Sequence, residues 1–116
     1  MPNIDNIKFG YMVSDDLLIR YFHKLEERGL GQWVERAIPN REVFEELSRF
    51  HGLSLEEAVR RLVEKLRSVV VPEVAEEVVG GGGAVAVEVV ARRLAFWYIQ
   101  LAAELGVLSE KVVNWR

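Results

Sequence analysis

Apolar residues recur along much of this chain at the spacing of one face of a helix. The first such set follows Ser14, a good helix N-cap, and comprises Leu17, Leu18, Tyr21, Phe22 and Leu25. We expect this helix to stop near Gly29 or Gly31, because glycine readily adopts the conformations that end helices. A second short helical piece is predicted over residues 32–37, since Pro39 disfavours helix at the residue before it.

The same spacing predicts further helices toward the carboxyl end. One runs from Arg41 to Gly52, and the next opens with the capping box of Ser54 and Glu57 and continues through Leu66. Pro72 then starts a short helix over residues 73–79, which the four glycines 80–83 stop; we also expect these glycines to let two backbones approach closely. A long helix over residues 84–105 and a short one over residues 109–115 complete the chain.

Two segments do not follow the helical spacing. Ile7, Phe9, Tyr11 and Val13 alternate with other residues, which predicts an extended N-terminal arm because no second strand is obvious as its partner. The run of valines at 69–71 fits either strand or helix. We therefore predict an all-α fold, a small helical bundle with an N-terminal arm and helix over residues 1–40 and a bundle over residues 41–116.

The long helix is the most informative segment. Seventeen of the twenty-two residues at 84–105 are apolar, and a helix that is hydrophobic nearly all round must be covered nearly all round. It would be about 33 Å long, so we expect neighbouring subunits to cover part of it, as in an intertwined dimer within a helical assembly. Successive rings lie about 100° apart, so at least one of three adjacent aromatics should face a partner. The expected interface residues are Phe96, Trp97, Tyr98, Trp33 and Trp115.

Composition narrows the classes of function. The 116 residues include no cysteine, which excludes disulfide scaffolds and thiolate chemistry, and the formal charge of −3 argues mildly against a generic nucleic-acid binder. Arginine outnumbers lysine eleven to four, a composition that suggests a thermophilic source. Residues 84–105 could span a bilayer by length, but charges near the middle would each cost about 2.5 to 3.5 kcal/mol there. We therefore expect no transmembrane segment.

No catalytic or metal-binding pattern emerges from the sequence. His23 and His51 lack the spacing of metal ligands, and the serines have the positions of helix caps. The glycines at 80–83 are not followed by the residues of a phosphate-binding loop. We predict no enzyme activity, no metal, no cofactor and no small-molecule substrate.

Basic residues form two features. Arg20, Lys24 and Arg28 recur every fourth residue, so they either follow a phosphate backbone or form a solvated row partly neutralised by neighbouring acids such as Glu27. Arg92 and Arg93 interrupt the apolar helix. Either Glu88 pairs with Arg92 as a helix neighbour, or the two arginines reach a buried anionic partner.

The end of the chain resembles a known family. Gly81, Gly82 and Gly83, the apolar helix with Ala95-Phe96-Trp97, then Val107-Leu108 and a short amphipathic end, resemble the C-terminal part of the major coat proteins of filamentous and rod-shaped archaeal viruses, the rudivirus, lipothrixvirus and tristromavirus group. The likeness covers about the last 36 residues. It is a pattern of glycines, aromatics and spacing without a catalytic signature.

The resemblance implies a coat protein of a virion. Such proteins dimerise, with themselves or with a paralogous coat protein, and stack along linear double-stranded DNA that they hold in A form. This chain is less basic than some members, but in a repeating assembly each subunit needs few phosphate contacts. The expected phosphate-contacting residues are Lys8, Arg20, Lys24, Arg28, Arg36 and Arg41.

Two other classes compete with this interpretation. Pro39, the helix from Arg41 and the helix through Leu66 also look like a ribbon-helix-helix regulator, whose ribbon would then lie at residues 32–38. Glu35 and Ala37 stand there at positions where base-reading residues are wanted. The third class is a small helical subunit of a larger complex without nucleic acid.

Overall fold

The computed structural model describes residues 16–38, 40–50 and 53–104 of the chain. Within these ranges the protein forms six α-helices and one 3₁₀ helix and no strand, which confirms the all-α prediction. The elements are α1 (Asp16–Glu27), α2 (Gly31–Ala37), α3 (Arg41–Ser48), α4 (Leu55–Leu66), the 3₁₀ helix Arg67–Val69, α5 (Pro72–Val79) and α6 (Gly83–Glu104). The predicted arm at residues 7–13, the Ser14 cap, the helix at residues 109–115, Lys8, His51, Gly52 and Trp115 lie outside the described residues.

Local signals set most helix ends where the sequence predicts them. Gly29 ends α1 with a φ of +74°, and the Leu30 amide closes the turn by donating to the Leu25 carbonyl over 2.8 Å. Ser54 caps α4, because its hydroxyl accepts a hydrogen bond from the Glu57 amide. α5 begins at Pro72, whose fixed φ suits the first turn of a helix.

α3 differs from the prediction at its end. It begins at Arg41 as expected, with Asn40 as a cap whose side-chain oxygen accepts from the Val43 amide. It ends at Ser48 rather than at Gly52. The Phe50 amide donates to the Leu47 carbonyl over 3.1 Å, so the chain tightens into a turn that directs the Phe50 side chain into the core.

The structure gives the backbone conformation of the valines at 69–71 and of the glycines at 80 and 81. Residues 69–71 are not a strand, since Val69 ends the 3₁₀ helix and Val71 is the extended residue before α5. Gly80 and Gly81 adopt φ values of +85° and +79°, and nothing lies within 4 Å of a Cβ built on either of them. The expectation of a close backbone approach is therefore wrong there. These glycines serve a backbone conformation that other residues rarely adopt.

α6 is the centre of the described fold. It packs along α4 and α5 and also contacts α1 and α3. Two tyrosines connect the N-terminal helices to this packing: the Tyr21 hydroxyl accepts from the Val71 amide over 2.9 Å, and the Tyr98 hydroxyl accepts from the Asn40 amide over 2.8 Å. Buried residues from all six helices belong to one core. Residues 16–38 thus belong to the same core as the described residues of the bundle predicted over residues 41–116.

Candidate functional surfaces

The covered side of α6 contains two of the three adjacent aromatics. Tyr98 has no exposed surface, Trp97 has 4% of its surface exposed, and their rings meet edge to face with centroids 4.9 Å apart. Phe44 of α3 packs against Tyr98 in the same manner at 5.2 Å. Neighbouring helices of the same chain therefore cover both rings, and an interface role of Trp97 and Tyr98 stays a prediction that their exposed surface does not support.

The Tyr98 hydroxyl also forms hydrogen bonds inside the core. Its hydroxyl donates to the Ala37 carbonyl and accepts from the Asn40 amide, so it joins α6 to the segment between α2 and α3. Burial raises the pKa of Tyr98 well above its usual value, against a smaller opposite effect of the Asn40 amide. The hydroxyl therefore stays neutral over the whole range in which proteins are normally studied.

The open side of α6 bears an apolar stripe. Val85 is 61% exposed and Phe96 is 43% exposed, and Val89 between them is half-buried. These residues and Arg92 recur at intervals of four, three and four, so they share one face of the helix. We call Val85, Val89, Arg92 and Phe96 the α6 stripe. It borders a shallow depression of about 440 Å³ lined by Val89, Arg92, Arg93 and Phe96.

The charged groups around the stripe do not form the Glu88–Arg92 pair that the sequence offered as one alternative. Glu88 pairs with Arg67, whose Nη2 lies 2.8 Å and whose Nε lies 3.0 Å from Glu88 Oε2. Arg92 instead lies near the Phe96 ring, with its Cζ 6.0 Å from the ring centroid. Arg92 and Arg93 are both exposed, and a buried anionic partner for them stays a prediction. No ion pair of Arg92 occurs among the described residues.

The basic row of α1 is partly neutralised. Arg28 Nη2 lies 2.7 Å from Glu77 of α5, and Lys24 Nζ lies 3.3 Å from Glu27 and 3.9 Å from Glu77. The sequence identified the acids of α1 as neighbours of this row but not Glu77, which is 49 positions beyond Arg28. A phosphate would have to displace Glu77 to use both cations. This arrangement favours the interpretation of a solvated ion-pair row at Lys24 and Arg28.

The other candidate phosphate contacts lie on three separate helices. Arg20 of α1 and Arg41 of α3 are exposed and form no ion pair with any described residue. Arg36 of α2 is exposed and stacks its guanidinium 4.6 Å from the ring centroid of half-buried Trp33. The structure brings Lys24 and Arg28 together at Glu77 but gives no shared site for the whole set. The interface role of Trp33 stays a prediction.

The described residues give no cluster of side chains typical of a metal centre. Within these ranges no three histidines, aspartates or glutamates lie where they could hold a metal ion. One cluster of charges lies on α4. Hydrogen bonds from Arg60 and Arg61 lower the pKa of Glu57 there, at the exposed surface. Such a network is typical of a solvated helix face. None of the helices described is long and apolar enough to cross a membrane.

Comparisons with protein-family models, with curated proteins and with solved structures give no match for this chain. The archaeal coat-protein resemblance therefore stays a prediction from the sequence. The α6 stripe and the exposed arginines are the candidate functional surfaces of the described residues. These are the features of the described surface that the fold itself does not use.

Proposed function

We propose that this protein is a structural subunit that associates with other subunits and coats linear double-stranded DNA, as a coat protein of a filamentous archaeal virus. The single observation that carries the proposal is the α6 stripe, because Val85 and Phe96 are the large hydrophobic side chains most exposed among the described residues. Both belong to a helix whose other sides are in the core. An assembly would cover them.

The energetic contribution of such a contact is modest for one subunit. Burying an exposed valine or phenylalanine side chain fully contributes about 1.5 to 3 kcal/mol, and these two are partly buried already. A filament repeats the contact along its length, so weak association of single subunits is compatible with a stable array. The same reasoning applies to DNA, since a few phosphate contacts per subunit suffice when many subunits act together.

The paired and unpaired basic residues divide the DNA-contact candidates. Arg20, Arg36 and Arg41 are the stronger ones, because no described carboxylate neutralises them. Lys24 and Arg28 are weaker candidates, because Glu77 already forms ion pairs with both. The proposal thus rests its phosphate contacts mainly on the three arginines and, outside the described residues, on Lys8.

A second candidate is the small helical interaction subunit without nucleic acid. The ion pairs of Lys24 and Arg28 with Glu77 favour it, because they neutralise two of the three residues in the positive row that DNA would use. The ribbon-helix-helix regulator loses its support, since the segment that would form the ribbon is the helix α2. The two surviving candidates share the α6 stripe and differ in DNA binding.

Electron microscopy of the purified protein mixed with generic linear duplex DNA tests the proposal. We expect regular filaments without sequence preference at ~50 mM salt. The logarithm of the DNA-binding constant should fall linearly with the logarithm of the salt concentration. The variant Arg20→Ala/Arg36→Ala/Arg41→Ala should lower the magnitude of that slope by about 2 to 3, as expected for three lost phosphate contacts.

The matched control is Arg49→Ala/Arg61→Ala/Lys65→Ala, which removes three other exposed positive charges. Its slope should follow that of the unmodified protein. Equal slopes for all three proteins would reject these arginines as phosphate contacts. Absence of DNA retention at ~50 mM salt would reject the coat-protein proposal and leave the interaction subunit.

A further inference from the structure

We infer that the α6 stripe pairs with the α6 stripe of a second copy of this chain, antiparallel and related by a two-fold axis at the level of Val90. The inference rests on the proposed function in that it names the partner of the surface that carries it. Its basis is the distribution of charge on either side of the apolar residues. That distribution is complementary to itself in one orientation.

The stripe has a geometry suited to pairing of two helices. From Val85 to Phe96 it extends about 17 Å along α6. At about 100° per residue, Glu88 and Arg92 lie on the same edge of the stripe, one helical turn apart. Residues on one edge of an antiparallel pair face the same edge of the other helix. Glu88 of each copy can therefore meet Arg92 of the other.

The two groups are chemically available for this contact. Arg92 has no ion pair among the described residues, and its guanidinium lies on the apolar stripe near Phe96. Both bonds from Arg67 to Glu88 end on Oε2, so Oε1 keeps accepting capacity. The Glu88 side chain is 40% exposed and can be reached from outside. A cation without a carboxylate and a carboxylate with a free oxygen thus lie one turn apart.

The register follows from placing Glu88 opposite Arg92 of the second copy. In this register Phe96 lies near Val85 of the second copy, and Val89 lies near Val89 of that copy. The two-fold axis repeats each contact, giving two ion pairs and two aromatic–aliphatic contacts. In a parallel pair the edge that bears Glu88 and Arg92 would instead face the opposite edge of the other helix, so Glu88 and Arg92 would not meet.

DNA is a poorer occupant of this surface. A phosphate would attract Arg92, but it offers nothing apolar to Val85 and Phe96 and is repelled by Glu88. A second copy satisfies all of these groups at once. One pair of helix faces is at the low end of specific interface sizes, so we expect a dissociation constant in the micromolar range or weaker.

Sedimentation equilibrium without DNA, from ~1 µM to ~1 mM protein at low salt, tests the pairing through charge reversal. The unmodified protein should dimerise with rising concentration. Arg92→Glu and Glu88→Arg should each weaken self-association about tenfold or more, because like charges then meet twice. An equimolar mixture of the two variants should associate as well as the unmodified protein, because the mixed dimer keeps one ion pair in its original sense and forms the other with its charges exchanged.

Lys65→Glu is the matched control, since it reverses one exposed charge on α4 away from the stripe and should leave the dimer unchanged. Thermal unfolding of each variant confirms that it folds. A monomer at every concentration, a dimer indifferent to Arg92→Glu, or a mixture that does not associate would each overturn the inference.

The DNA experiment separates this inference from the proposed function. Filaments that form equally well with Arg92→Glu would refute the pairing while the coat function stands. A dimer with the expected charge behaviour but no affinity for DNA would refute the coat function and leave the pairing intact.

Discussion

The two sides of α6 differ in what the rest of the chain places against them. Phe96 and Tyr98 are aromatic residues two positions apart, yet 43% of Phe96 is exposed and none of Tyr98 is. Tyr98 meets Phe44 and the polar backbone groups of Ala37 and Asn40. Phe96 meets Arg92 of its own helix. The same residue class thus serves the core on one side and a free surface on the other.

This difference limits what an apolar helix can say about partners. The sequence suggests that α6 is too apolar for a single chain to cover, yet α1, α3, α4 and α5 bury most of it. What is left for another molecule is one stripe rather than the whole segment. The proposed assembly therefore depends on the position of a few side chains and not on the average hydrophobicity of the helix.

The largest expected contrast comes from truncating one residue on each side of α6. Leu94→Ala removes a fully buried side chain and should lower the free energy of unfolding by about 2 to 5 kcal/mol. Val85→Ala, on the open side, should change it by less than about 0.5 kcal/mol. Urea unfolding at low protein concentration, where association does not contribute, measures both. Similar losses in the two variants would contradict the assignment of the faces.

A smaller contrast concerns the hydroxyl of Tyr98. Tyr98→Phe leaves the Ala37 carbonyl and the Asn40 amide without their partner, so it should cost about 1 to 3 kcal/mol of unfolding free energy. Phe96→Tyr adds a hydroxyl on the open side and should be nearly neutral. Denaturant unfolding gives both values, and the Asn40 amide should exchange faster with solvent in Tyr98→Phe. A neutral Tyr98→Phe would mean that the core contact contributes nothing.

Helix limits were largely predictable because they depend on neighbouring residues. Gly29 ends α1, Ser54 caps α4 and Pro72 opens α5 through contacts within a few positions of the chain. Asn40 offered the same kind of signal, since an asparagine just before a predicted helix is a favourable N-cap, and this residue was missed. The end of α3 was missed because its last turn depends on burying Phe50 in a core that forms from distant segments.

The candidate surfaces were less predictable because they depend on contacts between distant segments. Arg28 and Glu77 are far apart in sequence, as are Arg67 and Glu88, and no local pattern pairs them. Helical periodicity puts Val85 and Phe96 on one face of α6, but the sequence alone does not show that this face is the open one. The packing of α1, α3, α4 and α5 decides which side of α6 is covered.

The smallest expected effect follows from the ionisation of the two buried tyrosines. Burial raises the pKa of Tyr98 and of Tyr21 in the folded chain, in each case against a weaker effect of a backbone hydrogen bond. In the unfolded chain both should ionise near the usual value of about 10. The unfolded chain therefore loses these protons first as pH rises, and the equilibrium shifts toward it.

The contribution of each tyrosine is complete below about pH 10 and is then lost as pH rises, at about 1.4 kcal/mol per pH unit, until the folded form ionises as well. Denaturant unfolding between pH 8 and about pH 11 measures the fall. Tyr98→Phe should make the unfolding free energy fall less steeply with pH, by the contribution of one tyrosine. Phe96→Leu on the open side should leave this slope unchanged. An unaltered slope in Tyr98→Phe would contradict the raised pKa of Tyr98, because this hydroxyl would then ionise as easily between Ala37 and Asn40 as in the unfolded chain.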